Sequence, residues 1–156
     1  LASGVQRIVV VVREDNKELR EHLDQFDVDV AIADPAPAQM KDTVLAGINY
    51  TAEHYPMGVN DAFLLAPADM PYLSPWLIDQ VIEQHNPDAA AIIAPSFEDT
   101  KGHPALFPWP FVTGVYQLTE DQGINALWDL YYGRTFEVSD NTPLIDLDTP
   151  EDWQQE

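Results

Sequence analysis

Residues 5–12 read VQRIVVVV, and this β-branched run decides the fold that we expect for the chain. A strand that is apolar on both faces is typical of the centre of a parallel sheet covered by helices on both sides. Three more apolar runs have the same character, at residues 28–33 (VDVAIA), 62–66 (AFLLA) and 89–94 (AAAIIA). Segments with helical spacing separate them, at residues 16–26, at residues 43–54 and from Pro75, with Ser74 as the N-cap. We therefore predict an open α/β sheet, mostly parallel, with right-handed crossovers and helices on both faces.

The residues on either side of this first strand suggest how the chain is organised. Upstream, Leu1-Ala2-Ser3-Gly4 resembles the end of a helix with Gly4 at its C-terminal cap. We expect that one strand, one loop and one helix of the domain are absent before it, the alternative being a ragged start with no missing partner. Downstream of His103 the pattern is α+β: strands at residues 105–107, 135–138 and 144–147, helices near 111–117 and 123–131, and a last helix from Pro150.

Composition excludes several classes of function. The chain of 156 residues carries 7 Lys plus Arg and 27 Asp plus Glu, a net charge of −20, so neither nucleic acid nor an anionic membrane is expected as a partner. It contains no cysteine, which removes disulfides, zinc-thiolate sites and a cysteine nucleophile. Since no apolar run reaches the length of a membrane span and no signal pattern opens the chain, we expect a soluble, cytoplasmic, single-domain protein.

Ligands of open α/β sheets bind beyond the C-terminal ends of the strands, here the loops at residues 13–16, 34–42, 67–73 and 96–103. Asp69 lies in the third of these, between Pro67 and Pro71, which fix the backbone. A rigid carboxylate at this edge suits a hard divalent ion such as Mg²⁺. The alternative is an Asp that only caps the following turn, and spacing alone does not separate the two.

Asp146 and Asp148 form the second acidic candidate. In a strand over residues 144–148 they share one face, where two carboxylates repel unless a cation or hydrogen-bond donors lie between them. The local alternative is stronger: Asp148 or Thr149 before Pro150 is a good helix start. Both readings hold together if Asp148 caps the helix and Asp146 binds the ion.

Two further segments carry candidate ligand-binding residues. His103 follows a glycine and precedes a proline, where its imidazole can bond a phosphate or tune a carboxylate. Residues 38–43 (AQMKDT) precede a helix whose free N–H groups suit a phosphate or nucleobase, with Lys41 as a rare cation. A capping box headed by Asp42 or Thr43 explains the same residues equally well.

In this order the segments resemble the MobA-like nucleotidyltransferases, in particular the molybdenum cofactor cytidylyltransferase type. The matching segments are the strand at residues 5–12, the helix start at 40–48, A-D-M-P at 68–71, G-H-P-A-L-F at 102–107 and D-L-D-T-P-E-D-W at 146–153. The resemblance covers essentially the whole chain. It implies a glycosyltransferase-A-like α/β fold and transfer of CMP or GMP from a nucleoside triphosphate to a phosphorylated acceptor such as molybdopterin, with Mg²⁺ and release of pyrophosphate.

The resemblance also assigns residues. It implies that Asp69 is the principal metal ligand, with Asp146 and Asp148 nearby, and that His103 shapes the acceptor side. Nucleotide binding falls to seven residues: Asp34, Pro35, Met40, Lys41, Asp42, Thr43 and Ala68. A molybdoenzyme or a chaperone is implied as a protein partner.

The chain departs from the family pattern in two places. The family's Gly-rich, cationic phosphate-binding loop has no counterpart in residues 1–156, and Asp42 or Thr43 stands where the family has a serine. We therefore expect weak triphosphate binding by this chain, and the base preference stays open between CTP and GTP. Two other functions remain alternatives: a transferase that uses a nucleotide sugar, and a catalytically silent regulatory domain on the same fold.

Overall fold

The computed structural model describes residues 2–147, so Asp148 and the helix predicted from Pro150 lie outside the described part. The chain divides into two compact units. The small-sheet unit comprises Val5–Asp61 and Trp109–Leu130. The large-sheet unit comprises residues 2–4, Ala62–Pro108 and residues 131–147. Within residues 2–147 no helix is long and apolar enough to cross a membrane.

The small-sheet unit contains the strand-helix-strand segment that the sequence predicts. Strands β1 (Val9–Arg13) and β2 (Asp29–Ala33) pair in parallel, and helix α1 (Lys17–Leu23) connects them. The Asn16 side chain caps α1 by accepting the Leu19 N–H at 3.1 Å. Short helices α4 (Val112–Gln117) and α5 (Leu127–Leu130) complete the unit.

Helix α2 (Met40–His54) packs on both strands of the small sheet. Its buried side chains include Val44 and Ile48, and a Cβ at Gly47 would lie 3.1 Å from the Val11 side chain, so the helix approaches β1 closely. The predicted start, with Asp42 or Thr43 heading the capping box, is wrong. Gln39 is the N-cap, and Asp42 acts from inside the first turn by accepting the Gln39 N–H at 3.0 Å.

The large-sheet unit holds a mixed sheet. Its strands are β3 (Ala62–Leu65), β4 (Ile92–Phe97), β5 (Thr100–Lys101), β6 (Ala105–Pro108) and β7 (Gly133–Glu137). Only β7 runs parallel to its neighbour β4, whereas β6 is antiparallel to both β3 and β4. The prediction of a mostly parallel sheet is therefore wrong here. The reason is local: two residues connect β4 to β5, and such a connection joins only antiparallel strands.

Helix α3 (Pro75–Glu83) covers this sheet and begins as predicted, with the Ser74 hydroxyl accepting the Leu77 N–H at 3.2 Å. Val81 of this helix packs against Ile93 and Leu106, and all three are fully buried. The core of the unit lies between α3 and strands β4 and β6.

The strand predicted at residues 144–147 does not form. The chain instead makes a 3₁₀ turn at Thr142–Leu144 and continues without regular structure to Leu147. Pro143 has no N–H for a ladder, and the Leu147 N–H donates to the main chain of Asp69. The same-face argument for Asp146 and Asp148 therefore fails, and a different contact places Asp146.

Candidate active site

The acidic loop follows β3 and is anchored by one apolar side chain. Met70 is buried, whereas its neighbours Ala68 and Asp69 are exposed. Prolines at positions 67 and 71 restrict the backbone on both sides. The Asp69 carboxylate is thus held at the surface by a stiff loop whose own anchor is Met70.

A main-chain hydrogen bond joins the acidic loop to the segment that carries Asp146. The Leu147 N–H donates to the carbonyl of Asp69 at 2.9 Å, so Asp146, the preceding residue, lies beside the acidic loop. Both carboxylates are exposed. Two solvated carboxylates on adjoining main-chain segments suit Mg²⁺, which takes one or two carboxylates and fills its other positions with water and substrate phosphates.

The residues that lead to Asp146 are also held at their start, at Asp140. The Asp140 side chain accepts the Thr142 N–H at 3.0 Å, at the start of the 3₁₀ turn. Hydrogen bonds from the Thr142 side chain and main chain lower the pKa of Asp140. The segment that ends at Asp146 is thereby tied down at both ends, at Asp140 and at Leu147.

His103 is hydrogen-bonded to the segment that carries Asp146. Its N–H donates to the Pro143 carbonyl at 2.9 Å, and the Gly102 N–H donates to Pro95 at 2.8 Å. Gly102 is required here, because a Cβ would lie 2.5 Å from the Pro143 Cβ and 2.6 Å from its carbonyl oxygen. The imidazole Nδ1 of His103 is buried and has no hydrogen-bond partner within residues 2–147. A buried polar atom without a partner is costly, and a bound ligand group would satisfy it.

Glu137, which the sequence did not single out, anchors the hairpin that leads to His103. Its carboxylate accepts the Glu98 N–H at 2.8 Å and the Ser96 hydroxyl at 3.1 Å. Glu98 and Asp99, the two turn residues, both have positive φ, 48° and 64°. This is the backbone of a tight two-residue hairpin without the glycine or asparagine that usually signals it.

The predicted nucleotide-binding residues belong, with one exception, to the small-sheet unit. Asp34, Pro35 and Asp42 line a groove of about 540 Å³ along β2 and α2, which we call the β2 groove. Met40 is exposed and Thr43 is half-buried, and neither lines this groove.

The remaining two residues of the predicted set lie elsewhere. Lys41 is only 8% exposed, and its ammonium group donates to the carbonyl of Thr119. Ala68 belongs to the large-sheet unit, beside Asp69. The structure therefore sorts the predicted residues into two groups. Asp69, His103 and Asp146 share one main-chain network, and the β2 groove gathers Asp34, Pro35 and Asp42.

Within the described residues no three acidic or histidine side chains are grouped to hold a metal by themselves. A metal at Asp69 would thus depend on substrate phosphates, or on Asp148, which lies outside the described residues. Sequence reasoning singled out the two acids and the histidine, and their roles stay predictions. It missed the main-chain partners that join them, Pro143 and Leu147, because main-chain bonds leave no side-chain signature.

Comparison with known proteins places the chain in a family. The model of the MobA-like NTP transferase domain matches residues 1–135. No curated protein matches the chain.

Solved structures share the fold. A nucleotidyl transferase from Methanothermobacter is 21% identical, with a TM-score of 0.78, over 99% of this chain and 73% of that one. Molybdopterin-guanine dinucleotide biosynthesis protein A from Archaeoglobus fulgidus is 12% identical, with a TM-score of 0.69, over 94% and 75%. Rv0371c from Mycobacterium tuberculosis, solved as a complex with manganese, is 20% identical, with a TM-score of 0.71, over 99% and 78%. These likenesses establish a glycosyltransferase-A-like α/β fold, and with the match over residues 1–135 they lead to one conclusion: this chain belongs to the MobA-like NTP transferase domain family.

Proposed function

We propose that the chain transfers CMP or GMP from a nucleoside triphosphate to a phosphorylated small-molecule acceptor of the molybdopterin type and releases pyrophosphate. Membership of the family supports nucleotidyl transfer as the reaction. The observation that supports the proposal is the hydrogen bond from the Leu147 N–H to the Asp69 carbonyl, because it joins the main-chain segments that carry two exposed acidic residues, Asp69 and Asp146.

The reaction is an in-line displacement at the α-phosphorus of the nucleotide. An oxygen of the acceptor phosphate forms the new P–O bond, the bond between the α- and β-phosphates breaks, and pyrophosphate leaves with the electron pair. Asp69 and Asp146 would hold the divalent metal, Mg²⁺ in this proposal, with Asp148 as a third ligand. When bound, the ion neutralises charge that develops on the phosphate oxygens.

His103 acts on the acceptor side in this proposal. Its buried Nδ1 has no partner within residues 2–147, so it is available to bond an acceptor group. The main-chain bond to Pro143 fixes the base of the imidazole relative to the segment that carries Asp146.

Nucleobase recognition is assigned to Asp34, Pro35 and Asp42, the three predicted residues that line the β2 groove. The Asp34 carboxylate is exposed and suited to accept from the exocyclic amino group that cytosine and guanine both carry. Since this contact does not separate the two bases, both CTP and GTP belong in the assay.

The decisive experiment compares Asp69→Asn with Asp88→Asn, an exposed acid of the same unit outside this network. We expect Asp69→Asn to lower pyrophosphate release from CTP or GTP by about 10²–10³-fold, the usual cost of removing a group that stabilises transition-state charge. Asp146→Asn should lower it less, and Asp88→Asn should leave it unchanged.

Mn²⁺ binding, followed by electron paramagnetic resonance, gives a readout that is independent of turnover. Asp69→Asn and Asp146→Asn should both weaken it. Equal activity of Asp69→Asn and Asp88→Asn at saturating Mg²⁺ would refute the metal assignment. Turnover of a nucleotide sugar without pyrophosphate release would replace the proposed reaction with sugar transfer.

A further inference from the structure

The β2 groove extends beyond the nucleobase positions and runs along the open edge of a strand. Among the strands that the structure describes, β2 pairs only with β1, so its other edge has no neighbouring strand. Ile32, the fourth of the five residues of β2, is 46% exposed. An open edge with exposed main-chain donors and acceptors is a template for one more strand.

The far wall of the groove is one stripe of α2. From Asp42 to Glu53 the lining positions of this helix recur three or four residues apart, the spacing of a single helix face. Eleven steps along a helix cover about 16 Å, and an extended peptide advances about 3.3 Å per residue. The groove therefore accommodates about five residues of extended chain, which matches the five residues of β2.

The chemistry of the walls defines the occupant. The middle of the groove is apolar, with Ile32 on one side and Leu45 and Ala46 on the other. Asp34 lies toward one end and Glu53 toward the other, and both are exposed. None of the lining residues carries a positive charge. An occupant with cationic side chains at its ends and small apolar side chains between them complements these walls.

We propose that the β2 groove binds an extended segment of a partner protein, with lysine or arginine side chains at its ends and small apolar ones between them, as an additional strand on β2. A second copy of this chain is disfavoured, because each copy carries a net charge of −20 and pairing two β2 edges would bring their acids together. The proposed strand shares the Asp34 end of the groove with the proposed nucleobase contact, but it does not depend on the transfer reaction.

The test uses the full chain and a short fluorescent peptide with lysine at each end and valine between. Fluorescence anisotropy should show saturable binding. The same peptide with alternate amide nitrogens methylated keeps its charge and cannot complete a ladder, so it should bind at least about tenfold more weakly. Amide hydrogen exchange should slow at residues 29–33 when the unmethylated peptide binds.

A matched pair of variants separates the groove from general attraction to an acidic protein. Glu53→Lys reverses a charge in the groove, and Glu21→Lys makes the same change on exposed α1. We expect Glu53→Lys to weaken peptide binding about fivefold or more, as exposed charge pairs of this kind contribute, and Glu21→Lys to change it less than twofold. Circular dichroism of both variants checks that they fold.

Several results would overturn the proposal. Equal binding of the methylated peptide, or equal weakening by Glu53→Lys and Glu21→Lys, would mean attraction by charge alone. A dimer in sedimentation equilibrium whose residues 29–33 are protected without peptide would make a second copy the occupant. Absence of peptide binding, with CTP or GTP alone slowing exchange across residues 29–33, would make the whole groove a nucleotide site. Asp69→Asn, which abolishes the proposed transfer, should bind the peptide normally, so each proposal can fail without the other.

Discussion

Replacing Gly102 by alanine tests how the candidate active site is assembled. The added Cβ would lie 2.5 Å from the Cβ of Pro143, 2.6 Å from its oxygen and 2.9 Å from its carbonyl carbon. Two of these three atoms are main chain, so rotation of a side chain cannot relieve the contact. The segment from Pro143 to Asp146 must therefore move away from Gly102.

The size of the effect follows from three contributions. Overpacking a buried position costs about 1–3 kcal/mol. Losing the hydrogen bond between the His103 N–H and Pro143 costs about 1 kcal/mol more. Replacing glycine by alanine restricts the unfolded chain and returns about 0.4–1 kcal/mol. The net expectation is a loss of about 2 kcal/mol, which in a chain of this size lowers Tm by about 4–8 °C.

Urea unfolding of Gly102→Ala, compared with that of Gly123→Ala, measures this loss of stability. Gly123 is the matched control, because a Cβ there meets no atom within 4 Å and its φ is negative. We expect Gly123→Ala to be as stable as the parent or slightly more stable. We also expect Gly102→Ala to lose transfer activity under conditions where it is fully folded, since Asp146 moves with Pro143. If the two variants unfold within about 0.5 kcal/mol of each other, the close approach at Gly102 does not hold the segment.

Three further expectations concern single contacts. Glu98→Gly should raise the free energy of unfolding by about 1 kcal/mol in urea titrations, because glycine takes its φ of 48° without steric cost. Lys41→Met should lower it by about 1–3 kcal/mol, since it leaves the carbonyl of Thr119 without its charged donor; a loss of nucleotide affinity with no loss of stability would contradict this role. The hydrogen bond from the Tyr55 hydroxyl to Asp29, with desolvation, raises the pKa of Tyr55. This bond therefore contributes its full stabilisation of the fold below pH 10, and the contribution declines as the pH rises through the raised pKa. In an ultraviolet titration, Tyr55 should ionise at a higher pH in the parent than in Asp29→Asn.

Local patterns predicted local structure well in this chain. The cap at Ser74 and the strand-helix-strand unit from β1 to β2 agree with the structure, because each depends on residues a few positions apart. The antiparallel strands were missed because Glu98 and Asp99 make a tight turn without the residues that usually announce one.

The candidate site shows the same contrast between local patterns and contacts distant in sequence. Proline restriction and residue type singled out Asp69 and His103, and their chemical roles stay predictions. The alternation of LIDL at residues 144–147 favoured a strand, and a hydrogen bond to a residue far away in sequence decided otherwise. The β2 groove was only partly foreseen, because Ile32 and Glu53 come from a strand and a helix whose proximity no local pattern encodes.

The interleaving of the two units has a consequence for synthesis on the ribosome. The large sheet takes β3 to β6 from residues 62–108 and β7 from residues 133–137, and the residues between belong to the other unit. During translation one edge of β4 therefore stays unpaired until β7 has left the ribosomal exit tunnel. Five residues of β7 pair with this almost fully buried strand, so until then its unpaired edge is open to pairing with other nascent chains.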